Sequence, residues 1–268
     1  MAKAFSLVSW NVEHFKKDPE RIERVVGQLD GLAPDVFALY EVEGAEVFGE
    51  LTRSMPGYTF HITEGPQVQE ILVGVRSNLT AFVTQKVEYR SGVSLLRPGL
   101  LATVTVAGAD YPILFLHTKS GVDPRGLGLR DDMLSRAVKF RRTLDRTSAT
   151  GVANYMFIGD FNVMGMRYVY VSERSIPAPD EIRRLDAHAR RYKMRRLQKT
   201  APATWWNGGS TPPSDLDHVV AADHLEFETF DGAEVEVEGW PTLTGAARTR
   251  WIHDNSDHGI LHLIVNHS

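Results

Sequence analysis

Six short polar clusters, in a fixed order along the chain, hold the residue types most suited to chemistry. They are residues 9–11, 40–41, 117–120, 159–162, 215–218 and 256–258, which read S-W-N, Y-E, H-T-K-S, G-D-F-N, D-L-D-H and S-D-H. Together they supply carboxylates, carboxamides and imidazoles, and the chain has no cysteine. Oxygen-rich ligand sets of this kind suit Mg²⁺ or Mn²⁺ better than a structural zinc ion. A hard cation beside two histidines indicates attack of water on a phosphate ester.

Most of these clusters stand where an apolar, strand-like run ends. Glu41 follows the run 36–40, and Asp160 follows the run 155–158. Side chains at strand ends are held rigidly, so groups from several strands can converge on one cleft. Because side chains along a strand alternate with period two, Asn162 points to the same side as Asp160 if that strand continues. The spacing therefore predicts a polar cleft built from strand ends.

Four carboxylates in these clusters need a compensating positive charge if they share a cleft. They are Glu41, Asp160, Asp217 and Asp257. At about 4 Å, each like-charge pair repels by about 4 kcal/mol at an effective dielectric constant of about 20. Such a group persists only if cations or protonated histidines compensate it, or if some carboxylates bind a proton. Two divalent ions, or one ion and an imidazolium, would be enough. Taken singly, each residue has an ordinary interpretation as an exposed strand end or turn residue, so the prediction rests on the combination.

Helix-like and strand-like segments alternate along the chain. Apolar residues recur at helical spacing after Asp18-Pro19, the stretch 58–115 reads as consecutive strands, and residues 126–146 read as a basic helix. This order predicts an α/β protein with two sheets. Because no Pro/Gly/Ser linker separates two halves, we expect one domain over residues 1–268.

Residues 163–203 form a long basic segment, which we interpret as an insertion. Positions 179–199 predict a helix whose inner face holds Ile182, Leu185, Ala189, Tyr192 and Leu197. Positions 183–199 contain six Arg, two Lys and one Asp, a local charge of +7, whereas residues 223–238 carry seven acids and no base. Such segregation can steer an anion toward one face. The alternative, that both stretches are solvated faces, stays open.

Composition excludes several classes of protein. Without cysteine, the 268 residues form no disulfide and provide no thiolate. No apolar run approaches the ~18 residues of a membrane span, and the N-terminus lacks the apolar region of a signal peptide. The net charge of −4 does not by itself indicate a nucleic-acid binder. We expect a protein of a reducing compartment, the cytoplasm, without a membrane span.

Taken in order from Ser9 to His258, the six clusters resemble the endonuclease/exonuclease/phosphatase superfamily. This group includes pancreatic deoxyribonuclease, AP endonucleases, neutral sphingomyelinases and inositol polyphosphate 5-phosphatases. Any one of the motifs is weak, whereas six in order are specific. The resemblance implies a four-layer α/β sandwich, in which two packed, mainly antiparallel or mixed sheets are flanked by helices. It also implies a hydrolase of phosphate ester bonds with Mg²⁺ or Mn²⁺ as cofactor.

The resemblance implies a metal site at the strand ends. Glu41 resembles the principal metal ligand of the family. Asp257, Asn11 and Asp160 are the further candidate ligands. Asn11 has two possible roles, because its amide could orient a carboxylate or bind a metal through its carbonyl oxygen.

The resemblance also implies catalytic roles. Asp160 and Asn162 resemble the pair that positions the nucleophilic water and the scissile phosphate. His258 resembles the general base or transition-state contact, oriented by Asp217 in a carboxylate–imidazole pair. His117 resembles the histidine that binds the phosphate or the leaving group.

Four residues are candidates for substrate binding. Arg97 sits where many members place an arginine that contacts phosphate, and Asn11 accompanies it. Lys119 is either a phosphate contact or a solvated loop lysine. The segment 204–206, T-W-W, resembles the family's T-x-W segment, which makes Trp206 a candidate, although core packing explains tryptophans equally well.

Two departures from the nuclease pattern keep the substrate open. Glu43 and Asp215 stand where nuclease members often carry arginine. The leading hypothesis is a phosphodiesterase that acts on nucleic acid and holds its backbone through the basic positions 183–199. The second is hydrolysis of a small phosphate ester, an inositol phosphate or a phospholipid head group. The third is a non-catalytic binding module with the same fold. The number of metal ions and the oligomeric state are not determined by the sequence.

Overall fold

The strands form two six-stranded sheets in the computed structural model, which describes residues 2–16, 18–65 and 69–267. With strands numbered in chain order, the first sheet runs β11 (Glu236–Glu238), β12 (Ile260–Asn266), β1 (Lys3–Phe15), β2 (Val36–Val42), β4 (Glu70–Arg76), β3 (Tyr58–Ile62). The second sheet runs β5 (Thr80–Lys86), β6 (Gly99–Val106), β7 (Ala109–His117), β8 (Met156–Asp160), β10 (Asp217–Ala222), β9 (Met194–Arg196). In each sheet one central pair, β1 with β2 and β7 with β8, is parallel and the other neighbours are antiparallel.

The two sheets pack face to face, and helices cover their outer faces. Helices α1 (Pro19–Leu32) and α2 (Ala45–Ser54) bury their apolar faces on the first sheet. Helices α3 (Pro124–Thr147) and α4 (Ala178–Arg191) do the same on the second sheet. The predicted four-layer α/β sandwich with mixed sheets is thereby confirmed.

Alternation along β1 shows how the layers are filled. Phe5 and Leu7 face the core between the sheets, whereas Val8 and Trp10 face the helices. This is the period of two expected for a strand that is buried on both faces. A fifth helix, α5 (Gly245–Asp254), was not foreseen from the sequence, and its Trp251 packs 5.8 Å from the ring of Trp10.

The predicted helix over 179–199 is wrong in its second half. Helix α4 ends at Arg191, and Lys193 adopts a left-handed conformation (φ 54°). The chain then forms the edge strand β9 on β10, which buries Met194 completely. Leu197 reaches the core between the sheets, whereas Leu185 lies in the core under α4. One continuous helix could not bury Leu185 and Leu197 in these two different cores. The chain therefore forms a strand after α4, although the apolar residues recur at helical spacing.

Strand β5 ends at Lys86, and a 3-10 turn, Val87–Arg90, follows it inside the stretch 58–115 that was predicted as consecutive strands. Residues 163–203 contribute a loop, α4 and β9, and their status as an insertion in a single domain stays a prediction. Across the described ranges, no helix combines the length and apolarity needed to cross a membrane.

Candidate active site

The polar residues of the second sheet continue the apolar rows that fill the core between the sheets. Ile113 and Phe115 face that core, and His117 is the next residue on the same face of β7. Ile158 precedes Asp160 on β8 in the same way. Since side chains alternate with period two, the residues that form the core also aim these polar groups into the cleft at its end.

Three of these polar residues lie in one row across the second sheet. His117 is the register partner of Asp160 on the parallel neighbour β7, and Asp217 is its partner on the antiparallel neighbour β10. Gly159 makes this row possible, because its backbone (φ 146°) passes so close to β7 and Tyr40 that a Cβ atom would lie 2.0 Å from the carbonyl oxygen of Leu116. The glycine of G-D-F-N is therefore needed for close approach.

The first sheet contributes Asn11 and Glu41 to the same cleft. Asn11 continues the inner row of β1, whereas Glu41 reaches the cleft through an irregularity in β2. Glu41 adopts a left-handed conformation (φ 64°), which is costly for a residue with a side chain. The backbone N–H of His14 donates to Glu41 Oε2 over 3.1 Å and helps hold it there. Strained residues of this kind concentrate at functional sites.

Asp160 is the centre of the hydrogen-bond network. Its Oδ2 accepts from Asn11 Nδ2 at 3.0 Å and lies 3.3 Å from His117 Nε2, while its Oδ1 accepts from the backbone N–H of Asn162 at 2.9 Å. Burial alone would raise the pKa of Asp160, but the bond from His117 and the charge of His258 bring it down to about 2. Asp160 is therefore an ionised carboxylate at neutral pH.

Asn162 reaches the cleft in a different way from the one expected. Strand β8 ends at Asp160, and Asn162 takes a left-handed conformation (φ 48°) in a turn capped by the Asp160 carboxylate. Its side-chain amide donates to the carbonyl oxygen of Thr118 at 3.3 Å. The condition of a continuing strand is therefore not met, yet the turn still places Asn162 in the cleft wall beside Asp160.

His258 and Asp217 form a buried imidazole–carboxylate pair. Nδ1 of His258 lies 2.8 Å from Oδ2 of Asp217, and both side chains are almost fully buried. Burial alone would lower the pKa of His258, but the charges of Asp217 and Asp160 raise it to about 10. Because Nδ1 is bonded to Asp217, Nε2 is left to face the cleft, 4.0 Å from Asp160 and 3.8 Å from Asp257.

His117 is held in the opposite state. Burial, together with the nearby guanidinium of Arg97, lowers the pKa of His117, so the ring is neutral at pH 7. Its Nε2 lies beside two carboxylates, 3.3 Å from Asp160 and 3.7 Å from Glu41. The site thus contains one protonated and one neutral histidine. The protonated ring of His258 carries a positive charge, and the ring of His117 does not.

The oxygen atoms at the cleft fit a divalent cation. Trp205 Nε1 donates to Asp257 Oδ2 at 2.6 Å, but Asp257 Oδ1 is buried and has no hydrogen-bond partner among the described residues. Burial raises the pKa of Asp257 to about 6, and the charges of Glu13 and Glu41 act in the same direction. An unsatisfied buried carboxylate oxygen near other carboxylates is a ligand atom of the kind that a hard cation binds.

Asn11 is placed to orient carboxylates. Its Nδ2 donates to Asp160 and to Glu41, and its Oδ1 already accepts the backbone N–H of Glu13 at 3.0 Å. Asp160, Asp217 and His258 also offer potential ligand atoms, which lie within 4.8 Å of one another. Since Asp217 and His258 satisfy each other, we consider Glu41 and Asp257 the better candidate ligands.

The cleft has a volume of about 390 Å³ and brings most of the predicted site residues together. Its wall contains Asn11, Glu41, Arg97, His117, Asp160, Asn162, Asp257 and His258. Arg97 donates to the carboxamide of Gln69, which in turn donates to Glu41 at 3.3 Å. Asp217 stands behind His258, so it acts on the cleft through that ring.

Two predicted substrate contacts lie outside the cleft wall. Lys119 is half-buried, and its carbonyl oxygen is bound by a neighbouring arginine. Trp206 donates its indole N–H to the carbonyl oxygen of Thr211 and packs 6.1 Å from Trp240. Trp205, the preceding residue, lines the cleft instead. The sequence could not separate the two tryptophans, because a strand-like bridge to His258 decides which of them faces inward.

A buried ion pair that sequence reasoning missed fastens the two loops at the cleft. Arg130 in α3 is 0% exposed and binds both carboxylate oxygens of Glu181 in α4, at 2.9 and 3.0 Å. The same guanidinium donates to the carbonyl oxygens of Lys119, Gly121 and Gly165. It thereby ties the loop after His117 to the loop after Asp160. Nothing local marks this pair, since its partners are far apart in the chain.

The two acidic departures from the nuclease pattern are neutralised. Glu43 is 5% exposed and pairs with Lys16 and His14. Asp215 pairs with Lys199, which also donates to the carbonyl oxygen of Asp217. Neither carboxylate presents a free charge to a polyanion, so the objection they raised against a nucleic-acid substrate is weak.

The basic positions 183–199 are also largely paired. Five of their eight cations lie beside carboxylates: Arg183 with Asp180, Arg184 with Asp131, Arg195 with Glu234, Arg196 with Asp186 and Lys199 with Asp215. The local charge of +7 therefore overstates the field that an approaching anion would meet.

The fold and the site define a phosphoester-hydrolysing enzyme. The sequence model of the Endonuclease/Exonuclease/phosphatase family matches residues 8–258, and the chain belongs to that family. Members of the family generally depend on a divalent metal, and the acidic and histidine groups described above provide a possible site for one. Among curated proteins, no sequence matches significantly.

Solved structures with the same fold span nearly the whole chain. TDP2 from D. rerio, complexed with single-strand DNA product, aligns at a TM-score of 0.70 and 17% identity over 98% of both chains. TDP2 from C. elegans aligns at 0.69 and 13% over 98% of this chain and 75% of its own. A mannosyl-6-phosphatase from Bacteroides thetaiotaomicron aligns at 0.62 and 12% over 98% and 99%. At these identities the similarity shows the fold.

Proposed function

We propose that the chain is a Mg²⁺- or Mn²⁺-dependent phosphodiesterase that cleaves a nucleic-acid backbone by in-line attack of water. One observation carries the proposal. The protonated His258, paired to Asp217, and the ionised Asp160 face each other across 4.0 Å at a cleft that also holds Glu41 and Asp257. A cation and an anion held this way can act on the two sides of a phosphate ester.

The roles of the residues follow from their charges. Asp160 has a pKa of about 2, so it is ionised and can orient the attacking water by accepting a hydrogen bond from it. The same low pKa makes Asp160 a weak base, so it can take the proton of the water only as the new bond to phosphorus forms. His258 carries its proton on Nε2, where it can bond a phosphoryl oxygen as negative charge develops there. Asn11 and Asn162 hold Asp160 in place, and neutral His117 can donate from Nε2 to the phosphate or the leaving group.

Glu41 and Asp257 would hold the metal. A bound Mg²⁺ or Mn²⁺ would neutralise charge on the phosphate oxygens. Arg97, linked to Glu41 through Gln69, adds a guanidinium to the same wall of the cleft.

Nucleic acid is favoured as substrate by two points. Glu43 and Asp215, which argued against it, are paired. In addition, TDP2 from D. rerio, which shares the fold, is complexed with single-strand DNA product. If the cytoplasm is the compartment, RNA and small nucleotides are available as well as DNA, so the assay needs several substrates.

A second candidate is hydrolysis of a small phosphate ester. It is supported by the pairing of five cations in positions 183–199, which leaves a weaker field for a polyanion. The mannosyl-6-phosphatase with the same fold shows that the scaffold occurs in an enzyme named for a monoester.

The test is cleavage of supercoiled plasmid and of a labelled single-stranded oligonucleotide in Mg²⁺ at low salt, with an aryl phosphodiester in parallel. The wild type is compared with His258→Ala and with the control His253→Ala, whose side chain is 88% exposed in α5. We expect cleavage by the wild type and the control only. Because phosphate contacts release counterions, cleavage should fall steeply with salt. Turnover of the aryl diester with both nucleic acids intact would select the second candidate.

A further inference from the structure

The loop between Met166 and Ile176 exposes an unusual run of apolar side chains. Val169 is 80% exposed and Tyr170 is 85% exposed, with Val171 and Val122 also open to solvent. The rings of Tyr168 and Tyr170 lie 5.9 Å apart in an edge-on arrangement. Contiguous exposed apolar groups are uncommon and indicate a binding surface. We call residues 166–176 the tyrosine loop.

The tyrosine loop is fastened at its base. Met166 and Ile176 exchange two backbone hydrogen bonds, at 2.7 and 2.8 Å, which close the loop like a hairpin. The backbone N–H of Arg167 donates to the carbonyl oxygen of Val122 at 2.6 Å. Gly165, just before the loop, is held by Glu181 on its N–H, as well as by Arg130 on its carbonyl oxygen. The exposed tip is thus presented from a defined position.

The loop begins at the wall of the cleft. Met164 lines the cleft, and its sulfur accepts the backbone N–H of Gly121 at 3.2 Å. Six residues of chain reach at most about 20 Å, so Tyr170 stands within about 20 Å of that wall. A substrate strand that leaves the cleft on this side reaches the tyrosines within a few nucleotides.

The charges around the loop fit a phosphate backbone. Arg167 and Arg174 belong to the loop, Arg125 lies three residues after Val122, and all three are exposed. The acid between Val122 and Arg125, Asp123, accepts the backbone N–H groups of Arg125 and Gly126. Within the described part of the chain none of the three arginines has a carboxylate within 4.0 Å, unlike most cations of positions 183–199. Glu173 is the one acid among residues 166–176. Unpaired arginines beside open tyrosine faces are the combination that binds single strands.

We propose that the tyrosine loop binds the unpaired strand of a nucleic acid next to the cleft. An unpaired base would stack on Tyr170, and Arg167 and Arg174 would contact the flanking phosphates. Stacking requires a base face that pairing and neighbouring bases do not cover, so the loop selects single-stranded substrate over duplex. This inference rests on the proposed cleavage of nucleic acid and names the form of the substrate.

The experiment compares wild type with Tyr170→Ala, the conservative Tyr170→Phe, and the control Phe82→Ala. Phe82 is 72% exposed on the edge strand β5 and therefore matches Tyr170 in type and exposure. Affinity for a fluorescein-labelled single-stranded oligonucleotide is measured by anisotropy in EDTA, and kcat/KM is measured in Mg²⁺ for that oligonucleotide and for an aryl phosphodiester.

We expect Tyr170→Ala to weaken oligonucleotide binding and kcat/KM by at least about fivefold, from the stacking of one base. Tyr170→Phe and Phe82→Ala should behave like wild type, and all variants should hydrolyse the aryl diester alike. Unchanged oligonucleotide binding by Tyr170→Ala would overturn the inference. If sedimentation also showed that this variant loses a self-associated form present in wild type, the loop would be a protein–protein contact instead. Failure of wild type itself to bind or cleave any oligonucleotide would overturn the proposed function instead.

Discussion

Nδ1 of His258 lies 2.8 Å from Oδ2 of Asp217, although 41 residues separate them in the chain. The pair fixes which nitrogen of the ring faces the cleft and keeps that nitrogen protonated. Asp217→Asn should therefore lower kcat by at least about 100-fold, since both the orientation and the charge of His258 are lost. The measurement is steady-state turnover of an aryl phosphodiester, with far-UV circular dichroism to confirm folding.

Asp223→Asn is the control for this change, because Asp223 is exposed just after the same strand, β10. It should leave turnover within about twofold of wild type. Turnover near the wild-type value in Asp217→Asn would show that the pair has no catalytic role.

Glu41 and Glu43 offer a matched pair for testing the metal site. Glu41 faces the cleft, whereas Glu43 is buried against Lys16 and His14. A ligand at about 100 times its Kd stabilises a protein by about 2.7 kcal/mol, so saturating Mg²⁺ or Mn²⁺ should raise the Tm of wild type and of Glu43→Gln. Glu41→Gln should lose this increase. The measurement is a thermal melt with and without metal.

Both variants should also lower the Tm of the metal-free protein. Glu43→Gln breaks a buried ion pair. At Glu41, burial is outweighed by the bonds from Asn11 and His14 and the charge of Arg97, which hold the pKa of the carboxyl below its ordinary value, so the folded protein favours the charge that Glu41→Gln removes. If metal raised the Tm of Glu41→Gln as much as that of wild type, the assigned metal site would be wrong.

The buried ion pair of Arg130 and Glu181 should contribute strongly to stability and to the shape of the cleft. Glu181→Leu leaves the guanidinium buried without its carboxylate, which should cost about 3–5 kcal/mol in the free energy of unfolding. The double variant Arg130→Met/Glu181→Leu should regain part of this loss but little activity, because the loops at the cleft lose their shared donor. Urea unfolding and turnover of the aryl diester measure the two effects.

A surface ion pair between the same two helices provides the control. Arg184 and Asp131 join α4 to α3 in the open, with side chains 71% and 40% exposed. Asp131→Leu should change the free energy of unfolding by less than about 1 kcal/mol. A similar small effect for Glu181→Leu would mean that water or movement of Arg130 relieves the buried charge.

Asp35 makes stability depend on pH. Its carboxylate binds the N–H and hydroxyl of Ser6 at 2.8 and 2.9 Å and Lys3 Nζ at 2.8 Å. Burial acts to raise its pKa, but the bonds from Lys3 and Ser6 outweigh burial, and the pKa is lowered. A lowered folded-state pKa gives stability that is present above the unfolded value of about 3.8 and is lost as pH falls through the folded value.

Asp35→Asn should accordingly lower the free energy of unfolding by about 1–2 kcal/mol at pH 7 and by progressively less below about pH 4. Urea titrations at pH 7, 5 and 3.5 measure the difference from wild type. Asp30→Asn, an exposed position in α1, should show little effect at any of these values. A deficit in Asp35→Asn that stayed constant with pH would contradict the assignment.

Part of the cleft was predictable because it follows from the local pattern of the strands. A residue two positions beyond a core residue on a strand shares its face, so His117 and Asp160 could be placed from the spacing alone. Glu41 is different, since it reaches the cleft only through a left-handed irregularity that the sequence does not announce.

What could not be predicted depends on partners distant in the chain. The chain leaves the helix after Arg191 because strand pairing with β10 and burial of Met194 and Leu197 stabilise the fold more than a longer helix would. The residues that these side chains contact come later in the chain, so the helical pattern alone could not reveal them. The neutralisation of Glu43 and Asp215, and the contacts of Arg130, need tertiary proximity. A side chain's charge is visible in the sequence, but its partner is not.

The cleft draws its groups from both sheets, and this has a consequence for refolding. Asn11 and Glu41 come from one sheet and Asp160 from the other, while the Tyr40 hydroxyl donates to the carbonyl oxygen of Ile158 across the interface. Each half can regain its backbone pairing while remaining inert. Turnover should therefore return later than far-UV ellipticity after dilution from urea. The delay between the two signals measures how long the two sheets take to dock, so recovery of activity reports the last stage of folding.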